Sequence, residues 1–191
     1  RQGGLEAELP YLINAVTTNK TDFFREPEHF DLMEKLMVPK LLEARRNERM
    51  PLLKVWSAAS STGAEPYTAA MVPAEQIAPV PPAKQSRYLM FARRTGPRPE
   101  VRIVPELRRL VRFQRLNLMD GTYPFDRDVD IILLRNVLIY FEKSDQEAVI
   151  NRLVGHLRPG GYLLLGHSES MIGTSVTMRQ VAPAVFQKAG A

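Results

Sequence analysis

The chain has 191 residues, 45% hydrophobic and 25% charged, with a formal net charge of +5 and no cysteine. That length suits one α/β domain around a single core. The absence of cysteine excludes disulfides, thiolate catalysis and cysteine-based metal sites, and fits a cytoplasmic protein. No apolar run approaches the roughly 20 residues that span a bilayer, and Arg1–Pro10 has no apolar segment of the secretory kind, so no membrane insertion is expected. The chain does not begin with Met, which reads as a fragment.

In chain order, Glu6–Val16 reads as a short linker helix and Thr17–Arg25 as a polar and aromatic loop. Phe30, Met33, Leu36, Met37, Leu41 and Leu42 make one helical face within Glu28–Asn47. Leu52–Trp56 reads as a first buried strand, followed by the small residues Ser57–Gly63 and a helix over Glu65–Val72 with Pro66 in its first turn. Strand, small-residue loop and helix together open a nucleotide-type α/β fold. The proline-rich stretch Pro73–Pro99 reads as loop, with a strand at Tyr88–Phe91.

Val101–Val104 and Leu110–Leu116 look like strands, and so does Val129–Leu134, apolar from Ile131 to Leu134. Ser144–Leu157 reads as a helix with Ser144 as N-cap and Glu147 completing a capping box. Arg158–Gly161 reads as a turn and Tyr162–Leu165 as a buried strand. Val176–Arg179 and Ala184–Lys188 form a closing antiparallel hairpin. The alternation predicts a doubly wound, mainly parallel sheet, whose ligands bind beyond the carboxyl ends of the strands. The polar segments to watch are therefore 57–65, 117–120, 135–140 and 166–170.

The loop Ala58–Gly63 lets a ligand approach the backbone at a helix N-terminus. It has neither the GxGxxG pattern nor the P-loop pattern, so no phosphate is specially indicated. Glu65 suits a cationic group, and equally a helix start favoured by the dipole. Asn117–Asp120 is suited to an adenine ring or to an ordinary polar turn. Asn136 and Tyr140 follow the most hydrophobic strand and reach the crevice, or close a turn. His29, His156 and His167 show no metal-ligand spacing, and no metal site is expected. The arginines Arg108, Arg109, Arg112 and Arg115 alternate with apolar residues, as on a solvated face, and do not favour nucleic acid.

Several segments together carry a resemblance: Asn19-Lys20-Thr21-Asp22-Phe23-Phe24-Arg25, Trp56 through Tyr67, Asn117–Asp120, Arg135–Phe141, Leu157–Gly161 and Gly166–Ser170. In this order they resemble the CheR-type chemotaxis receptor methyltransferases. The resemblance implies a Rossmann-like α/β fold that binds S-adenosylmethionine, with a C-terminal antiparallel hairpin and a small inserted β-subdomain at about 88–104. It implies a methyltransferase domain over 17–191, preceded at 1–16 by the linker from an N-terminal helical domain. Donor contacts are implied at Asn19, Thr21, Arg25, Ala59, Glu65, Asn117, Leu118, Arg135 and Asn136, with Arg25 and Tyr140 beside the transferable methyl.

By the same resemblance the substrates are glutamates on the cytoplasmic helices of chemoreceptors, and some members grip a receptor C-terminal peptide. The products are glutamyl methyl esters and S-adenosylhomocysteine. One departure stands out. The family carries an Asp after the second strand, followed by a helix, but residues 71–101 offer only Glu75 and Glu100. The expected second strand and its helix are missing just before Pro79–Ser86, either by a real deletion or because the sequence joins residues across a gap; the gap is the favoured reading, since losing a strand beside the first would expose core. A donor-binding regulatory module with little turnover is the alternative this departure supports.

Overall fold

The computed structural model describes residues 21–48, 52–77, 89–91, 101–169, 171 and 177–190. The linker helix expected at 1–16 and the donor contact expected at Asn19 lie outside them.

The first helical stretch runs through α1 (Pro27–Leu32), a π-turn (Met33–Met37) and α2 (Val38–Ala44). Pro39 has no N–H to donate to the preceding turn, and the wider turn before it accommodates the ring without breaking the helix. The expected helix is there, ending three residues early.

Next come β1 (Val55–Ser57), α3 (Ala64–Ile77), β2 (Leu89–Phe91), β3 (Val101–Ile103) and α4 (Pro105–Leu110). They are followed by β4 (Val129–Leu134), a 3-10 turn (Leu138–Tyr140), α5 (Lys143–His156), β5 (Leu157–Leu165), β6 (Arg179–Ala182) and β7 (Val185–Gln187).

The main sheet has the order β1-β4-β5-β7-β6. β1, β4 and β5 are parallel, while β7 and β6 add the expected antiparallel hairpin. Side chains of β4 alternate between two cores. Ile132 and Leu134 face Val149, Ile150 and Leu153 of α5. Ile131 and Leu133 face Phe30, Met33 and Met37 together with Ala69 and Val72 of α3. Helices thus cover both faces, which is why β4 is apolar from Ile131 to Leu134.

Four local expectations are corrected. Leu110–Leu116 is not a strand: α4 ends at Leu110, and Val111 continues extended but unpaired. An extended segment becomes a strand only when a neighbour satisfies its backbone. Among the described residues nothing pairs with the outer side of β1, so the sheet ends there.

Ser144 is not the N-cap of α5. The helix begins at Lys143, its N-cap is Glu142 without a side-chain bond, and the Gln146 side chain instead donates to the carbonyls of Leu138 and Phe141. Arg158–Gly161 is not a free turn but a bulge inside β5, with Gly160 at φ +79°. A Cβ at Gly161 would lie 3.0 Å from the Asp130 carbonyl, so the strand needs glycine there. Finally, α3 runs on to Ile77 through Pro73, beyond the expected end at Val72. β2 and β3 pair antiparallel, where a small β insertion was expected.

Candidate functional site at the carboxyl ends of the parallel strands

A cleft of about 550 Å³ opens where β1, β4 and the loop before α1 meet. Its position follows the rule for open α/β sheets, beyond the carboxyl ends of parallel strands. Thr21, Arg25, Ala59, Glu65, Arg135, Asn136 and Tyr140 line it together. Asn117 and Leu118 do not, although the neighbouring Leu116 does. Asn117 accepts the Met119 N–H in a local turn, and Leu118 is core, its carbonyl taken by the Tyr123 hydroxyl. Trp56, Phe125 and Leu116 give the cleft an apolar wall, with Gln114 and Arg115 at its rim.

The backbone around the cleft is strained. Phe24, Glu26, Ser61 and Asn136 have φ between +47° and +58°; of the non-glycine residues with positive φ among those described, only Ala184 lies elsewhere. Left-handed conformations in non-glycine residues cost energy and persist only where the surroundings impose them, which is typical of functional loops.

Phe24, Glu26 and Asn136 are held by a network centred on Arg135, whose side chain is only 2% exposed. Its guanidinium donates to Glu65 Oε2 at 3.0 Å and to Glu26 Oε2 at 3.1 and 3.3 Å. It also donates to the Arg25 carbonyl and lies over the Phe30 ring. Asn136 Nδ2 holds the other Glu26 oxygen at 3.2 Å. Ser57 at the end of β1 donates to Glu65 Oε1 at 2.6 Å. The Phe24 N–H reaches Thr68 on α3. Three elements remote in sequence are thereby locked into one wall.

The two carboxylates respond differently. Burial raises Glu26, but the Asn136 hydrogen bond and the Arg135 charge outweigh it and hold the group below the ordinary range. Burial of Glu65 prevails over Arg135 and Ser57 and pushes that carboxyl up. Arg135 cannot fully compensate two buried anions at once.

The histidines are not all scattered, as their sequence spacing suggested. His29 and His167 face each other with ring centroids 4.9 Å apart. Glu26, His29 and His167 offer ligand atoms within 4.8 Å of one another. A cation there would compete with Arg135 and Asn136 for the Glu26 carboxylate, so we read no metal centre in it. Burial and the Arg135 charge lower the His29 pKa, favouring its neutral form.

The chain matches the family model for the CheR methyltransferase, SAM binding domain, over residues 19–79 and 71–185. This chain belongs to the CheR methyltransferase family. It is 35% identical over 216 residues to chemotaxis protein methyltransferase 2 of Pseudomonas aeruginosa, covering 95% of this chain and 74% of that one. The chemotaxis protein methyltransferase of Borreliella burgdorferi is 33% identical over 211 residues, with the same two coverages. That of Salmonella typhimurium is 36% identical over 197 residues, covering 86% of this chain and 65% of the relative.

The methyl donor of the CheR domain is S-adenosylmethionine, and the cleft suits it in most respects. A deep carboxylate at Glu65 answers the donor's positive charge, small residues at Ala58–Ser61 admit its backbone-hugging part, and Trp56 and Phe125 offer an apolar wall. For the ribose, the described residues offer no acidic side chain at the end of a strand next to β1. The alignment with the Pseudomonas relative runs over 216 positions yet uses 95% of a 191-residue chain, leaving about 35 positions without a counterpart here. The two matched stretches of the family model meet at 71–79. That is where the acidic residue and its strand were missed, and among the described residues nothing pairs with the outer side of β1.

Sequence reasoning overlooked Glu26 and Glu169, which organise this wall. Both stand inside or beside quoted motifs, but their partners are 109 and 33 residues away.

Proposed function

We propose that this CheR chain is a protein-glutamate O-methyltransferase that transfers the methyl of S-adenosylmethionine to glutamates on the cytoplasmic helices of chemoreceptors, acting in the cytoplasm. The observation that carries the reading is the gathering of Arg25, Glu65, Arg135, Asn136 and Tyr140 on one cleft at the strand ends. The donor supplies an electrophilic methyl group, and a glutamate carboxylate with an ordinary pKa near 4.3 is already a nucleophile at neutral pH. No general base is needed; the protein must align the carboxylate and exclude water.

Arg25 stands where it orients the incoming carboxylate, held by the strained turn of Phe24 and Glu26. Tyr140 is 64% exposed at the mouth, where its ring meets a docking helix. Arg135 works from behind, fixing Glu65 and the Arg25 carbonyl. The β2–β3 pair is the segment suited to adding a receptor-tail strand. Among the described residues no helix is long and apolar enough to cross a membrane.

The test is calorimetry with S-adenosylhomocysteine joined to methyl transfer onto receptor-containing membranes, scored as alkali-labile methyl ester. Arg25→Ala should lower turnover at least 100-fold; wild-type turnover in that variant would remove Arg25 from the mechanism. Glu65 makes donor binding pH-dependent. A bound ammonium favours its carboxylate, so binding should release protons and tighten as pH rises above the normal glutamate range. Calorimetry in two buffers of different ionisation enthalpy detects this, and Glu65→Gln should abolish it.

Among the described residues no acidic side chain follows a strand next to β1 to meet the ribose, which favours one second reading, a donor-binding module with little turnover. Losing hydrogen bonds to a charged partner costs about 1.5–3 kcal/mol each, roughly a tenfold to hundredfold loss of affinity. Binding without ester formation would favour that reading.

A further inference from the structure

Glu169 lies in the Gly166–Ser170 segment, just beyond the end of β5. Its carboxylate is buried, at 7% exposure for the residue, and is occupied wholly by main chain. Oε1 accepts the Val137 N–H at 2.7 Å and the Leu138 N–H at 2.6 Å. Oε2 accepts the Asn136 N–H at 2.9 Å and the Gly166 N–H at 2.6 Å. A carboxylate offers about four acceptor sites, and all four are used. None is left for a ligand, so the group cannot act on one directly.

The three consecutive N–H groups belong to the loop that leaves β4. Asn136 there has φ +58°, an unfavourable conformation for a residue with a Cβ, and Leu138 starts the turn that carries Tyr140. Glu169 itself is set by a turn in which its N–H donates to the Gly166 carbonyl at 2.9 Å. The fit leaves no slack. A Cβ at Gly166 would lie 2.6 Å from Asn136 Nδ2 and 2.8 Å from Glu169 Oε2.

We infer that Glu169 is a positioning residue for methyl transfer, a carboxylate clamp that ties the end of β5 to the loop after β4 and so fixes Asn136 and Tyr140 in the cleft. The inference rests on the donor reading of that cleft, but the clamp has a readout of its own.

Glu169→Gln is the decisive variant. It keeps the size of the side chain but has one acceptor oxygen, and its amide N–H groups would face two backbone N–H donors. A space-filling role would be rescued by Gln; a clamp would not. Glu169→Gln should weaken S-adenosylhomocysteine binding at least tenfold and lower kcat/KM at least as much. Gly166→Ala should do the same from the opposite side.

Val149→Ala, in the core under α5, is the control for lost stability. It should lower Tm while leaving donor affinity within twofold. In the ligand-free protein, the amide protons of Val137 and Leu138 should resonate far downfield and resist exchange, and should lose both properties in Glu169→Gln. Wild-type affinity and turnover in folded Glu169→Gln, or losses in Val149→Ala equal to those in Glu169→Gln, would overturn the proposal. Unchanged amide signals in Glu169→Gln would overturn it too. If the wild-type chain binds no S-adenosylhomocysteine, the donor reading fails, and the amide signals alone decide whether the clamp exists.

Discussion

Arg135→Ala should cost about 3–5 kcal/mol of folding stability, because breaking a buried ion pair leaves an uncompensated charge, here two carboxylates. For a chain of this size that corresponds to a fall in Tm of roughly 6–20 °C, at about 2–4 °C per kcal/mol. Donor binding should vanish with it, since Glu65, Asn136 and the Arg25 carbonyl lose their common anchor. Arg135→Lys should not rescue, because one ammonium cannot reach the oxygens of Glu26 and Glu65 in the geometry of a planar fork.

Thermal unfolding and calorimetry with S-adenosylhomocysteine check both halves. An Arg135→Ala chain as stable as wild type would show that the network is incidental. The pH dependence separates the two carboxylates. Glu26, lowered in the folded state, contributes stability above its unfolded pKa and loses it as pH falls through the folded value. Glu65, raised in the folded state, contributes most below its unfolded pKa and loses that as pH rises through the folded one. Glu65→Gln should therefore flatten the decline of stability on the alkaline side of the glutamate range.

Asp130→Ala should destabilise by a similar amount, about 3–5 kcal/mol, and leave donor affinity alone. Asp130 is fully buried near the start of β4, at the end of the sheet away from the cleft. It accepts two hydrogen bonds from Arg45 Nη2, at 3.0 and 3.1 Å, and one from Nε at 3.2 Å. Arg158 adds a bond at 3.2 Å and the Lys54 N–H one at 2.8 Å.

Without Asp130, the nearly buried Arg45 keeps only Glu48 and Asp128, both about half exposed and worth little. Asp130→Ala and Arg135→Ala thus form a pair with comparable losses of stability. Only Arg135→Ala should change KM for the donor. Equal effects on donor affinity would mean that the two ends of β4 are energetically coupled.

The amino-acid sequence by itself determined the layered α/β class, the apolar central strands, the closing hairpin and the family. Those features are written in local patterns: the apolar run Ile131–Leu134 of β4, a small-residue loop before α3, and the Asn19–Arg25 motif. It also located the cleft-lining groups Glu65, Arg135, Asn136 and Tyr140, in segments that follow strands, and Arg25, through the Asn19–Arg25 motif.

Other features were decided by partners distant along the chain. Leu110–Leu116 has the composition of a strand, yet a strand needs a neighbour: Leu110 ends α4, and Val111 beyond it is extended but unpaired. Ser144 and Glu147 spell a capping box, but Gln146 bonds the preceding turn and the helix starts earlier. Arg135 reads as a ligand contact until Glu26, 109 residues before it, is seen to share its guanidinium with Glu65. Glu169 reads as one more polar loop residue until four backbone N–H groups from two loops converge on it. Local pattern records which face of an element is apolar. Which buried charges meet, and which backbone groups they satisfy, depends on chain segments brought together only by the fold.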